Sequence, residues 1–503
     1  MKKIYIYIIM IIGLIYGIVL SQEAPKFGGT IRIGKSADIS TIYPWEMTDL
    51  ESLFIFQNIY EPLIRLKKDT ADLEPCLATS WEVSKDHKRW KFFLRKNVKF
   101  HDGTSFTADA VINSLSQRKS LIAKMKKIDD YTVVFELSKP DIAFALTLSI
   151  EYHSIVGEAT LKCFKEKCTK PIVVGTGPYI FEKWIPDKEI ILRANGDYWG
   201  GKPYISKAIF IPFKNNALVM KALTKKEIDI THNILPSNIA EIKKIPFLNF
   251  QSQPSLSIAY LGMNNERTPF NNKIVRIAIS HAINKKELLR KYYFNGQAAL
   301  IAKSCLPVSM FGYYADLPER EYNIQKAIEL LKKAGYPNGF ETTLLPPPVT
   351  RPYMPEPLKI AEDIKNDLEK INIKATIVNA KSWRDYLAKS FSGNFDMIIF
   401  GWVADTIDPN DFLTSLLSSQ SIGTSNTVRF SDANFEALLE QARSQKIADR
   451  VKSYQKAQMI FYEKMPFVPL ISAMQLAVHS DRVKGYKIHP AARLYLLNLW
   501  LSE

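Results

Sequence analysis

Three local signatures of catalysis are missing from this chain. It has no G-x-S-x-G elbow, no H-E-x-x-H pair and no C-x-x-C motif. Nothing local therefore marks a serine hydrolase, a zinc protease or a thiol oxidoreductase. The seven histidines (His87, His101, His153, His232, His281, His479 and His489) are dispersed, none paired at ligand spacing. Neither a metal nor a cofactor is expected. An exported hydrolase stands as the reading from another class, because a triad need not be local in sequence. Cysteine is scarce as well. Cys163 and Cys168 could close a small loop disulfide in an oxidising compartment, while Cys76 and Cys305 lie far apart and could be free. Their spacing is not a zinc pattern.

Runs of like charge are also wanting. The formal charge is +16, and removing Lys2 and Lys3 takes it to +14, yet the lysines are scattered among acids. That arrangement reads as a solvated basic surface suited to acidic partners or a membrane face, with no nucleic-acid role. Beyond Leu20 no stretch is long and apolar enough to span a bilayer. Before it, Lys2-Lys3 precede an apolar stretch from Ile4 to Leu20, followed by Ser21-Gln22-Glu23. A basic start, a short apolar core and small polar residues make a secretory signal over residues 1–22, cut near Gln22. An uncleaved anchor is the alternative. The expected mature protein is exported to the periplasm and soluble.

What remains is ordinary globular material. At 503 residues, 47% hydrophobic and 23% charged, the chain suffices for two or three domains. In the first half, strands and helices alternate, with Thr107 expected to cap a helix through about Gln117. His101-Asp102-Gly103 pairs a histidine with a carboxylate, but a turn with Gly103 in the left-handed conformation explains it. Residues 340–345, 356–370, 374–378, 382–389 and 395–400 read as strand, helix, strand, helix, strand, a parallel βαβαβ unit. Its first strand runs into Pro346-Pro347-Pro348 and then Arg351-Pro352-Tyr353, a stiff loop. Its last, the apolar run Met397 to Phe400, ends at Gly401-Trp402, followed by Asp405 and Asp408-Pro409. Asp408 reads as a helix cap; Asp405 lies too far before the helix for that and is a ligand candidate. Chain order alone puts Arg351 and Asp405 beyond the carboxyl ends of strands in one parallel unit, where open α/β sheets bind ligands.

Several stretches resemble a known family. "LATSWEVSKD" from Leu77, "FFLRKNVKFHDGT" from Phe92, "FTADAV" from Phe106 and "GTGPY" from Gly175 stand in the order and spacing of the family 5 extracellular solute-binding proteins. These are the peptide- and nickel-binding receptors of ABC importers. The resemblance implies an α/β, two-lobed periplasmic binding protein of type II, cluster C-like, with an extra subdomain in the first lobe. The boundaries expected are lobe I at 23–262 plus 478–503, its insert at roughly 45–175, and lobe II at 263–477.

Within that family, "RPY" before a helix and "GW-x-x-D-x-x-DP-x-x-F" about fifty residues later are similar to the dipeptide-binding branch. Carried across, Arg351 would hold the ligand carboxylate and Asp405 its amino terminus. The chemistry agrees. A peptide is a zwitterion, and burying either end unpaired costs several kcal/mol, so a closed site needs one opposite charge for each. A planar guanidinium grips a carboxylate with two parallel bonds. A fixed pair also measures length, at roughly 3.3–3.6 Å per extended residue, which favours short peptides. Trp402 and Tyr353 are the expected aromatic walls beside Gly401, with Trp383 either a third wall or ordinary core. The resemblance implies a monomer that delivers a short peptide, a dipeptide foremost, to permease subunits. Glutathione or haem as ligand stays open.

Overall fold

The computed structural model describes residues 24–47, 49–67, 72–117, 122–404, 406–444 and 446–503. The signal segment expected at 1–22 and the ligand candidate Asp405 lie outside the described residues.

Twelve strands form one large mixed sheet. In chain order they are β1 (Thr30–Lys35), β2 (Tyr179–Ile185), β3 (Glu189–Ala194), β4 (Lys207–Pro212), β5 (Ile230–Thr231), β6 (Leu248–Pro254), β7 (Ser257–Met263), β8 (Ala299–Ile301), β9 (Phe340–Leu345), β10 (Ile373–Ile377), β11 (Met397–Val403) and β12 (Phe467–Ser480). The order across the sheet is β10-β9-β11-β7-β12-β5-β1-β4-β3-β2, with β6 and β8 also bonded to β12.

The 14 residues of β12 hold the two halves together. Its first part, Phe467 to Ile471, pairs with β7; its last, Met474 to Ser480, pairs with β6, and Val478-His479 with β5. The sequence suggests two separate elements here, 466–471 and 477–485. The ladder is continuous instead, because β6 and β7 follow each other in the chain and each takes one part of the same partner.

The insert in the first half is a four-stranded antiparallel sheet, Ala78–Val83, Arg89–Leu94, Thr132–Leu137 and Ile122–Asp129 in that order. It carries its own aromatic core of Trp90, Phe92, Phe106, Phe135 and Phe144. Thr107 does precede the helix Ala108–Leu115, but its hydroxyl makes no capping bond. Its carbonyl takes the first-turn N–H groups of Ala110 and Val111 instead. Cys163 and Cys168 could have closed a disulfide by their spacing; both stand as free thiols. Cys163 lies in the last turn of the helix Glu158–Glu166, its sulfur 3.9 Å from the Tyr43 hydroxyl and its carbonyl bonded by the Cys168 N–H.

In the second half the parallel unit forms as its pattern dictates. β9 pairs in parallel with β10 from Phe340–Ile373 to Leu344–Ile377, and with β11 through Leu344–Met397 and Leu345–Ile398. The crossovers are α1 (Pro357–Glu369) and α2 (Trp383–Ser392). Ser382 caps α2 by accepting the Asp385 N–H, and Gly393 ends it in the left-handed conformation at φ 72°. β11 runs on to Val403, past the end expected at Gly401-Trp402, because its far side pairs antiparallel with β7 as far as Ser257. Three helices follow: α3 (Pro409–Leu417), α4 (Ala433–Ser444) and α5 (Ile447–Lys464).

Candidate ligand-binding site

Two strand ends and one helix start build the site. After β9, the loop closes on itself: the Arg351 N–H donates to the Met354 carbonyl at 3.0 Å, and the Met354 N–H to the Arg351 carbonyl at 2.9 Å. Pro352-Tyr353 is thereby held as a two-residue turn whose φ is preset by the proline. Tyr293 adds a hydroxyl bond to the Tyr353 carbonyl at 2.9 Å.

Tyr353 packs against Gly401. A β-carbon at Gly401 would stand 2.3 Å from the tyrosine ring and 2.7 Å from the Ile258 carbonyl, so only glycine admits this approach. Tyr353 is 8% exposed and belongs to the same core cluster as Ile399 and Ile360, while Trp402 and Trp383 pack against a separate cluster that holds Tyr386 and Phe400. Pleating puts successive residues on opposite faces, and Gly401 and Trp402 follow that rule. The structure therefore divides the two expected walls between the faces of β11.

Arg351 sits where the two groups meet. Its guanidinium carbon lies 3.5 Å from the centroid of the Trp383 ring. Trp383 stacks on Tyr386 at 5.2 Å, and Tyr386 on Phe400 at 5.7 Å, with 12° between those last planes. The Tyr386 hydroxyl donates to the Ile399 carbonyl at 2.6 Å, locking the stack to β11. The Arg351 Nε is buried and meets no acceptor among the described residues. Burial pulls the Arg351 pKa down, with Tyr353 and Tyr386 opposing, while burial pushes the Tyr353 phenol up to about 12. A guanidinium this poor in acceptors has room for an anion.

The loop that carries position 405 is anchored on both sides. The Ala404 N–H donates to the Leu256 carbonyl at 2.8 Å, continuing the β11 ladder. Thr406 is buried and its hydroxyl accepts from the Asp408 N–H at 3.1 Å. Asp408 caps α3, as its position suggests, accepting from the Asn410 N–H at 2.8 Å. The same carboxylate is buried against Arg450 and the Tyr454 hydroxyl of α5. Arg450, Tyr454 and Tyr386 carry no sequence signal for these roles. They arrive from distant or alternate-face positions.

The motifs of the first half are structural. His101 clamps the "GTGPY" turn, its Nε2 2.9 Å from the Gly177 carbonyl while its Nδ1 accepts the Gly175 N–H at 3.3 Å. Those two bonds describe a neutral ring, and burial lowers its pKa to about 4. Gly103 takes φ 85°, the turn its position implies. The octet Gly29 to Ser36 spells G-x-x-x-x-G-K-S, a phosphate-loop pattern. Thr30–Lys35 is a strand, however, and the buried Lys35 ammonium is paired with Glu51 at 3.0 Å, so no cradle forms. Among the described residues no group of three or more histidine, cysteine or acidic side chains could hold a metal.

Three comparisons bear on this architecture. The model of the bacterial extracellular solute-binding proteins, family 5 Middle, matches residues 72–424. Heme-binding protein A of Haemophilus influenzae is 33% identical, covering 86% of this chain and 85% of that one. The dipeptide-binding protein of Escherichia coli is 30% identical, covering 88% of each. Among solved structures, the periplasmic binding protein DppA from Helicobacter pylori in complex with peptide STSA superposes with a TM-score of 0.82. It is 32% identical and covers 95% of this chain and 99% of that one. The architecture is that of a two-lobed periplasmic binding protein, and among the described residues no helix is long and apolar enough to cross a membrane.

Proposed function

The chain belongs to the bacterial extracellular solute-binding proteins of family 5, and from that premise we propose that it captures short peptides between its lobes for an ABC importer. Proteins of this family are substrate receptors rather than enzymes. One observation carries the ligand assignment. Arg351 presents a partly buried guanidinium whose Nε has no acceptor among the described residues, at the carboxyl end of a parallel sheet. A peptide carboxylate supplies the missing acceptors with two parallel bonds, and Asp405 takes the ammonium at the other end. A dipeptide is the length we assign. Tyr353, Gly401, Trp402 and Trp383 shape the surroundings of that grip.

The first lobe comprises residues 23–262 with 478–503, including an insert at roughly 45–175, and the second comprises 263–477. The sheet passes from one half to the other between β6 and β7 and within β12, where the strand changes partners, a few residues before each of these boundaries. Hinge motion there closes the lobes over the ligand. Residues 1–22 serve as a cleaved signal, and a single copy delivers its cargo to the permease subunits.

A second reading has one observation behind it, the 33% identity to a protein named for haem binding. Haem also carries carboxylates, so a guanidinium serves both. Mass spectrometry of ligand released from the purified protein decides between them, and a peptide is the expected result. Calorimetry then tests the residue: Arg351→Ala should cost about 30-fold or more in peptide affinity with little change in melting temperature. Undiminished binding by that variant overturns the carboxylate assignment.

A further inference from the structure

We propose that Trp383 is a positioning residue for Arg351: its indole is the platform that fixes the plane in which the guanidinium meets a carboxylate. The inference rests on the peptide reading above and adds to it a determinant of ligand chemistry.

The geometry is that of a stack. With the guanidinium carbon 3.5 Å from the Trp383 centroid, one face of the cation is covered and its edge alone is left to donate. The indole in turn is backed. It opens α2, whose first turn is capped by Ser382, and it rests on Tyr386, which rests on Phe400. Tyr386 is tied to the backbone of β11 through the Ile399 carbonyl. The column thus transmits the position of a central strand to a side chain on the neighbouring loop. Among the described residues Arg351 has no other such brace. Its backbone is fixed through Met354, but its Nε has no acceptor among the described residues to set the angle of the head group. Stacking therefore sets it, at a cost to the ligand of nothing beyond adopting the same plane.

A planar carboxylate approaching edge-on takes two parallel bonds from such a fork. A carboxamide offers one acceptor in place of two and adds N–H donors that face other donors. The site should discriminate between a peptide and its C-terminal amide, and that discrimination should depend on the platform. Without the indole the guanidinium regains rotamer freedom and the preference for two-point contact falls.

The test measures affinity for Ala-Ala and for Ala-Ala amide by calorimetry on the full-length mature protein, its Trp383→Leu and Trp383→Phe variants, and Arg351→Ala. We expect the acid-to-amide ratio of the parent to drop about tenfold in Trp383→Leu and to return to within about threefold in Trp383→Phe. A general loss of folding or closure would weaken both ligands alike and leave the ratio where it was. Should Trp383→Leu not fold, Trp383→Gln reads the same ratio. An unchanged ratio without the indole, alongside a lost one in Arg351→Ala, overturns the platform and leaves the carboxylate assignment standing. A ratio retained in Arg351→Ala overturns the assignment beneath it.

Discussion

At the scale of single residues, Gly401 couples the site to the sheet. Its missing side chain lets the Tyr353 ring close on β11, and a methyl group there would collide with both the ring and the Ile258 backbone. Gly401→Ala should destabilise the protein by about 1–3 kcal/mol, as overpacking in a filled interior does, read by urea denaturation. A change within about 0.5 kcal/mol would mean the ring retreats freely. His101 makes a pH-dependent contribution whose sign is determined. Its pKa is lowered from 6.5 to about 4, so the unfolded chain binds its proton first as pH falls. Stability from this group is therefore present above pH 6.5 and lost as pH drops through that window toward 4. His101→Gln, which retains one donor and one acceptor, should flatten the urea-midpoint profile between those limits relative to the parent. Of these residues, His101 and Gly103 were legible as turn chemistry, because turns are local. The reason for Gly401 was not, since the ring it avoids comes from the loop at Tyr353 and the carbonyl from Ile258 of β7, both far away along the chain.

At the scale of elements, the start of α3 matters most. Asp408 was legible as a cap because its place just before Pro409 is a local pattern. Its second role, a buried pair with Arg450 beside Tyr454, depends on how α5 packs back across the sheet. Both partners are about 5% exposed or less, so removing one leaves a charge without water or counter-ion. Asp408→Ala should cost about 3–5 kcal/mol in chemical denaturation, well beyond the ~1 kcal/mol of a lost cap. A loss confined to the smaller figure would show that Arg450 finds another acceptor. The parallel unit is legible nearly residue for residue, since Met397 to Phe400 is a continuous apolar run, Ile373 to Ile377 alternates, and the helices keep a helical period. Local pattern ends β11 at Gly401-Trp402 and splits β12 in two, because strand length is set by the partner's length, which local pattern does not contain.

At the scale of the whole molecule, the insert touches the second half through its loop at Asp141. The Ile142 N–H donates to the Arg443 carbonyl of α4 at 3.2 Å, and Asp141 orients that turn by accepting the Ala143 N–H at 2.8 Å. Burial raises the Asp141 pKa, with Asp408 adding to the effect and Arg443 and Arg450 opposing it, so the loop faces the charged start of α3. Under the proposed division of lobes this contact joins the first lobe to the second, so its loss should favour opening. Asp141→Ala should then speed ligand release roughly two- to tenfold, the worth of one hydrogen bond, with association little changed, as stopped-flow measurement would show. An unaltered release rate would remove the contact from closure.

The amino-acid sequence by itself determined the class of this protein. Apolar periodicity specified the parallel unit, and proline, glycine and capping residues placed its boundaries, because those effects act within a few residues along the chain. It also named Arg351 as a cation beyond a strand end. Tertiary structure alone decided what the cation rests on, which face of β11 each aromatic occupies, and how one long strand joins both halves. These are contacts between segments tens to hundreds of residues apart, and only packing brings such segments together.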